Sequence, residues 1–150
     1  MRYEKLIESP IGLLTAVSDG DALNELRFGD CRAGGVSCAV LEQTEAELRE
    51  YFSGVRREFS VLFYGKGTPF QRAVWQALCT VPYGETASYG DIAAKIGNRK
   101  ACRAVGGANN RNPLPIIVPC HRIVGQNGAL VGYAGGLEIK EFLLRLESSM

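Results

Sequence analysis

The hydrophobic pattern of the chain changes at residues 64–67, and this change constrains the fold more than any other feature. Before it, short apolar stretches are separated by Ser-Pro, Asp-Gly and Gly-Asp pairs, which is typical of antiparallel strands joined by tight turns. After it, apolar residues recur at helical spacing. The Tyr-Gly-Lys-Gly segment between the two patterns is interpreted as a linker. We therefore predict an α+β (α/β) protein with two lobes, residues 1–65 and 66–150.

The first lobe is predicted to be β-rich with one or two helices. Apolar stretches predict an antiparallel meander of three strands and one further strand, at residues 3–7, 13–17, 23–28 and 58–63. Thr44 and Glu47 stand three residues apart, a spacing that predicts a capping box at the start of a helix. Ser53-Gly54 is the predicted end of that helix.

The second lobe is predicted to be mainly helical. Thr68, Pro69 and Gln71 form a strong helix start, because Thr caps the first turn, Pro fits the first helical position and Gln completes a capping box. Trp75 lies on the apolar face of this helix, so we interpret it as a core residue and not as part of a ligand site. Pro82-Tyr83-Gly84 then interrupts the helical pattern.

Two short helices joined by a Gly-containing turn follow, which is the outline of a helix-turn-helix. Ser88 caps the first helix, and the second is predicted to begin directly at Arg99. Its inner face would carry Ala101, Ala104, Val105 and Ala108, and its outer face Arg99, Arg103, Gly106 and Gly107. Each helical glycine costs about 1 kcal/mol relative to alanine. Close approach to a phosphate backbone would offset that cost, and fraying of the helix end is the alternative.

Charge is distributed unevenly along the chain. The formal net charge is only +1, but residues 66–150 hold ten basic and five acidic side chains, whereas residues 1–65 hold seven and eleven. No acidic residue lies between Asp91 and Glu138, a stretch with six basic residues: Lys95, Arg99, Lys100, Arg103, Arg111 and Arg122. Such a tract favours a polyanionic partner such as nucleic acid. A solvated basic face is the alternative.

Five scattered cysteines and a single histidine exclude several kinds of site. An odd, dispersed cysteine set argues against a disulfide framework and for a reducing compartment, and one histidine cannot complete a Cys/His zinc cluster. No apolar run approaches the roughly 20 residues of a membrane span, and the first residues do not resemble a signal peptide. We predict a cytoplasmic protein, associated with the nucleoid in a prokaryote, with no membrane, metal or cofactor.

Pro119-Cys120-His121-Arg122 places the sole histidine of the chain beside a cysteine and an arginine. A thiol with a pKa of about 8.5 is mostly neutral at pH 7, and a nearby imidazole or cation can convert it into the nucleophilic thiolate. The preceding β-branched run 116–118 is expected to be buried. Direct contact between neighbouring side chains of an extended strand would require a turn at Cys120 or a bridging water. A buried structural cysteine is the alternative.

The segment Ile117–Val124, with the sequence IVPCHRIV, resembles the active-site signature of the O6-alkylguanine-DNA alkyltransferases. Six further segments are similar to this family in order and spacing, namely residues 70–75, 82–93, 103–108, 112–115, 132–136 and 140–144. The match is dense over residues 68–147, whereas residues 1–65 match in layout only. The resemblance implies a ribonuclease-H-like first lobe and a winged-helix-like second lobe with a helix-turn-helix.

The resemblance also implies an activity. The protein would bind duplex DNA as a monomer, rotate an alkylated guanine out of the stack and move its O6-alkyl group irreversibly onto Cys120, once per molecule and without a cofactor. O4-alkylthymine is a further possible substrate. His121 would act through water as a base that keeps Cys120 as thiolate, and Glu147 would orient the imidazole. Asn112 would brace the loop before Cys120, and Tyr89 would donate a proton toward guanine N3.

Further roles are implied for the DNA-facing helix and the alkyl pocket. Arg103 would fill the gap that the flipped base leaves in the duplex. Other DNA contacts would come from Arg99, Lys100, Ala101, Gly106, Gly107, Arg111 and Arg122. The substrate pocket would be formed by Tyr133, Ala134, Ile123 and Lys140. Many relatives carry serine where Ala134 stands, so a hydroxyl contact to guanine O6 is absent here, although the backbone N–H remains.

Three other functions fit parts of the sequence. A module that recognises alkylated guanine without repairing it would lack the acceptor cysteine, which is present at position 120. A helix-turn-helix regulator with Cys120 as a redox sensor would normally carry a dimerisation helix, and none is evident. A thiol hydrolase would require a substrate groove and a separate histidine.

Overall fold

The computed structural model describes residues 2–125 and 127–148. The chain divides between Lys66 and Gly67 into two compact units, and each unit is described by itself. In the part of the chain that the structure describes, no helix combines the length and apolar character that crossing a bilayer requires.

The first unit is a three-stranded antiparallel sheet covered by one helix. The strands are β1 (Tyr3–Ser9), β2 (Gly12–Ser18) and β3 (Leu23–Phe28), and β2 is central. Helix α1 (Ala39–Phe52) packs against the sheet with Leu41, Leu48 and Tyr51 buried. The predicted meander is confirmed.

Two predictions for the first unit are wrong. Helix α1 begins at Ala39, so Thr44 is not a cap; its hydroxyl donates to the Val40 carbonyl within the helix, at 2.8 Å. The Glu47 carboxylate is buried and accepts the backbone N–H groups of residues 60 and 61. No strand forms over residues 58–63, where Phe63 makes only an isolated parallel bridge to β3.

The second unit is helical. Its elements are α2 (Pro69–Leu78), α3 (Tyr89–Lys95), α4 (Cys102–Asn110), a single 3-10 turn (Cys120–Arg122) and α5 (Leu137–Ser148). Helix α2 has the predicted capping box, and α3 has a capping box between Ser88 and Asp91. Trp75 is buried as predicted, and its indole N–H donates to the Ala108 carbonyl at 2.9 Å, which ties α2 to α4.

Helices α3 and α4 form the predicted helix-turn-helix, with two differences. Helix α4 begins at Cys102, because residues 99–101 belong to the turn that follows α3. Val105 and Ala108 are buried as expected, but Ala104 is exposed. The glycines at 106 and 107 do not fray the helix, which continues to Asn110.

Candidate active site

Cys120 and His121 lie on the 3-10 turn, and both are buried. The turn at Cys120, one of the two ways in which the neighbouring side chains could interact, is therefore present. The preceding residues 116–118 form a tight turn closed by a bridge between Pro115 and Val118. The candidate nucleophile thus lies where one tight turn leads into the next, and it is buried there.

Asn112 holds these turns together. Its side-chain N–H donates to the Val118 carbonyl at 2.9 Å, and its side-chain oxygen accepts the Leu114 N–H at 2.9 Å. Between these contacts Ile116 has φ = +75°, a left-handed conformation that costs a β-branched residue about 1–3 kcal/mol. Packing and the Asn112 hydrogen bonds offset this strain, and the backbone is thereby fixed just before Cys120.

His121 is hydrogen-bonded to Glu147 of α5, with 2.6 Å between Nε2 and Oε2. A carboxylate only accepts, so Nε2 carries the proton and Nδ1 presents a lone pair. Nδ1 has no hydrogen-bond partner among the described residues. Burial lowers the pKa of His121 in opposition to the Glu147 charge, so the imidazole is neutral at pH 7 and can accept a proton at Nδ1.

Burial raises the pKa of the Cys120 thiol to about 11, although the Asn112 side chain and the Lys140 charge both oppose the rise. The resting form of this site is therefore the neutral thiol. Burial therefore disfavours a standing thiolate in the protein without bound DNA, and the role of His121 as the base for Cys120 stays a prediction.

Three other predicted site residues surround the sulfur. Tyr89 opens α3, and burial together with the Cys120 charge raises the pKa of its phenol, which keeps it a hydrogen-bond donor at pH 7. The pKa of Tyr133 is raised well above its usual value for the same reasons. Lys140 is buried on α5 and donates to the Val131 carbonyl at 2.8 Å.

Two family profiles match this chain. The profile of the 6-O-methylguanine DNA methyltransferase DNA-binding domain matches residues 69–149, and the profile of the ribonuclease-like domain of the same methyltransferase matches residues 1–63. The chain belongs to the 6-O-methylguanine DNA methyltransferase family.

Similar proteins match over nearly their whole length. The constitutive methylated-DNA–protein-cysteine methyltransferase of Bacillus subtilis is 59% identical, with 98% of this chain and 96% of the relative covered. The methylated-DNA–protein-cysteine methyltransferase of Methanosarcina acetivorans is 49% identical, with coverage of 98% and 99%. The crystal structure of Mycobacterium tuberculosis OGT in complex with DNA superposes with a TM-score of 0.90 at 46% identity, covering 97% of this chain and 92% of that chain.

The residues expected to face DNA in this methyltransferase family mostly lie at the surface. Arg103 is exposed in the first turn of α4, and Gly107 is exposed on the same helix. A side chain at Gly107 would meet no atom within 4 Å, whereas one at Gly106 would meet the Tyr89 ring at 3.8 Å. The turn before α4 and its C-terminal end carry the remaining predicted contacts: Arg99, Lys100, Ala101 and Arg111.

Arg122 is the exception, and its predicted contact with DNA is wrong. The side chain is buried and directed inward. Its Nε and Nη2 donate to the two oxygens of Glu147 at 2.8 and 3.0 Å, and its Nη1 donates to the Val81 carbonyl at 2.7 Å. The sequence gives no signal for this pairing, because the two partners lie 25 residues apart and both residue types are usually exposed.

The rest of the predicted pocket is divided between core and surface. Ile123 is fully buried and forms a bridge with Ala87, whereas Ala134 is exposed.

The described residues include no group of three or more His, Cys, Asp or Glu side chains placed to hold a metal ion. All five cysteines are free thiols, and Cys120 is the only buried one.

Proposed function

We propose that this protein is a methylated-DNA–protein-cysteine methyltransferase that repairs O6-alkylguanine by direct transfer of the alkyl group to Cys120. The observation that carries the proposal is the buried His121–Glu147 hydrogen bond on the turn that holds Cys120. A neutral imidazole with a free Nδ1 lone pair supplies the base that a buried thiol requires.

The transfer is a single displacement at the alkyl carbon. The Cys120 proton moves to His121 Nδ1, directly or through one water, as the sulfur attacks the alkyl carbon in line with guanine O6. The S–C bond forms while the C–O6 bond breaks, and the released guanine takes up one proton in place of its alkyl group. Glu147 stabilises the imidazolium that forms, and Tyr89 directs its phenol proton toward guanine N3.

Deprotonation is coupled to the reaction, because the resting thiol is protonated. Transient proton transfer to His121 avoids a standing buried thiolate, which burial disfavours. The sulfur is also recessed, with Cys120 only 4% exposed. These two features together protect the sulfur from other electrophiles until a flipped base reaches it. The product is a thioether, which no group in the site can reverse, so each molecule acts once.

DNA contact is assigned to α4 and the turn before it. Arg99, Lys100 and Arg111 are exposed and would contact phosphates, and the glycines at 106 and 107 would allow the helix backbone to approach the duplex closely. Arg103 is proposed to enter the stack at the position that the flipped base vacates.

Mass spectrometry tests the acceptor directly. The protein is incubated with duplex DNA carrying one O6-methylguanine, and the Cys120 peptide is examined after removal of the DNA. We expect one methyl group in place of the thiol hydrogen, at most once per molecule, and none in Cys120→Ala. Cys31→Ala, which removes an exposed thiol of the first unit, is the matched control and should retain full transfer. Tight binding without any change in mass would instead support a recognition module.

A comparison of two substrates tests Arg103. Arg103→Ala should slow repair of duplex DNA far more than reaction with free O6-benzylguanine, which needs no base flipping. Equal losses with the two substrates would exclude the proposed role in the duplex.

A further inference from the structure

Arg122 forms a buried ion pair with Glu147, the carboxylate that is also hydrogen-bonded to His121. Two of its nitrogens donate to the two oxygens of Glu147, at 2.8 and 3.0 Å, in the fork geometry that fixes a carboxylate in one orientation. Glu147 Oε2 therefore accepts from both Arg122 and His121. The carboxylate is shared between a permanent cation and a titratable base.

The guanidinium is itself held in place by contacts outside this pair. Its third nitrogen donates to the Val81 carbonyl at 2.7 Å, and its carbon lies 5.7 Å from the ring centroid of Tyr83. The Tyr83 hydroxyl donates to the Leu146 carbonyl, next to Glu147 on α5. These contacts prevent Arg122 from turning outward to a phosphate without the loss of several buried hydrogen bonds.

We infer that Arg122 is a positioning residue for alkyl transfer: it keeps Glu147 ionised and fixed in orientation, so that His121 begins each reaction as a neutral base. This inference rests on the proposed transfer to Cys120. Its physical basis is charge balance inside a buried cluster. With Arg122 present, the Glu147 charge is already compensated and the imidazole has no need to carry a proton. Without Arg122, a protonated His121 becomes the available counter-ion for Glu147.

The other charged groups around His121 do not substitute for Arg122. Lys140 of α5 acts on the imidazole with the same sign as Arg122 but bonds to the Val131 carbonyl and not to Glu147. Among the described residues, Cys120 and Tyr133 are further titratable groups of this site, and both are neutral at pH 7 because burial raises the pKa of each. Helix α2 also packs against the turn, and its single charged residue, Arg72, is exposed.

The chain offers a direct measurement, since His121 is its only histidine. In tag-free protein, one imidazole resonance in an NMR pH titration reports the protonation of His121 whether or not alkyl transfer occurs. In the wild type this resonance should not titrate near neutral pH. In Arg122→Gln its midpoint should move upward by about 1 to 3 pH units. An unchanged midpoint in a folded Arg122→Gln protein would overturn the inference.

The rate of reaction with free O6-benzylguanine provides the second measurement. In Arg122→Gln, the acid limb of the pH–rate profile should move to higher pH, with the rate recovering as the pH is raised. Arg122→Lys keeps the positive charge but loses the fork, so it should lower the rate without moving this limb. If Arg122 had a purely structural role, its replacement would reduce the fraction of active molecules, and the pH–rate profile of the molecules that remain active would be unchanged.

Two further results distinguish a failure of the inference from a variant that does not fold and from a failure of the proposed function. If Arg122→Gln does not fold, the Arg122→Gln/Glu147→Gln double variant is used instead, because it removes both buried charges. His121 of this double variant should remain neutral near pH 7. An upward shift of its titration midpoint would contradict the inference. If alkyl transfer to Cys120 is absent from the wild type, the proposed function fails whatever the His121 titration shows.

Discussion

Both units of the molecule bury carboxylates, and two of these, Glu4 and Glu147, are satisfied in different ways. Glu4 of the first unit accepts backbone N–H groups of residues 33–35, at 2.5 to 2.9 Å. Glu147 of the second unit accepts from a histidine and an arginine. Backbone donors cannot titrate, so Glu4 can only fix a loop. The partners of Glu147 include an imidazole that can take up a proton during a reaction, so Glu147 can also support chemistry.

The same contrast extends beyond the carboxylates. The second unit keeps several features that stability alone does not favour: a β-branched residue at positive φ, two glycines inside α4 and a thiol buried with a raised pKa. Locally unfavourable features of this kind concentrate at functional sites, where the surrounding structure offsets their cost. Changes at these features of the second unit should therefore alter activity, whereas changes in the first unit should alter stability alone.

Glu147→Gln should have the largest effect. Loss of the charge that stabilises the imidazolium should lower the rate of transfer per folded molecule by about 10²- to 10⁴-fold. The measurement is single-turnover alkylation with O6-benzylguanine, corrected for the folded fraction because Arg122 is left without its counter-ion. Glu4→Gln is the matched control and should retain the wild-type rate. Equal losses in the two variants would remove the distinction between the two carboxylates.

Glu4→Gln should affect stability, and the effect should depend on pH. Backbone N–H donors lower the pKa of Glu4 below 4.5, so the ionised carboxylate stabilises the folded state at neutral pH. This stabilisation is complete above pH 4.5 and is lost as the pH falls through the lower pKa of the folded state. The melting temperatures of the wild type and Glu4→Gln should differ at pH 7 and converge in acid. A constant difference across this range would show that the charge of Glu4 is unimportant.

The raised pKa of Cys120 predicts that stability falls as the pH rises, which is the opposite of the pH dependence expected from Glu4. Its pKa of about 11 in the folded state exceeds the usual 9.0, so the folded protein retains a proton that the unfolded chain releases. Stability should therefore fall as the pH rises from 9 to 11, by up to about 2 kcal/mol. Urea denaturation at pH 9 and 11 measures this change. Cys120→Ala should lose less stability than the wild type, and an identical fall in both would assign the effect to other groups.

The sequence predicted those parts of the structure that local interactions determine. The capping box of α2 and the Ser88 cap of α3 are set within four residues, and both were predicted correctly. The apparent box of Thr44 and Glu47 fails because Glu47 finds better donors at residues 60 and 61, beyond the helix. Sequence spacing cannot reveal such a distant partner.

The candidate site shows the same limit. The resemblance identified Cys120, His121 and Glu147, and the structure brings the latter two into contact. Arg122 was assigned to DNA because a basic residue in a basic tract is normally solvent-exposed. Its inward direction depends on Glu147 and on the Val81 carbonyl, 41 residues away, so only the tertiary structure shows it.

Gly107→Ala should have the smallest effect on stability, and in the favourable direction. Position 107 lies within α4, and an added methyl group would meet no atom within 4 Å, so alanine should stabilise the protein by about 0.5–1 kcal/mol. The same methyl group would separate the helix backbone from the duplex. We therefore expect slower repair of duplex O6-methylguanine with an unchanged rate on free O6-benzylguanine, measured beside the melting temperature. If the variant is more stable and repairs duplex DNA at the wild-type rate, DNA binding does not require the absence of a side chain at position 107. The glycine would then have no role in DNA binding.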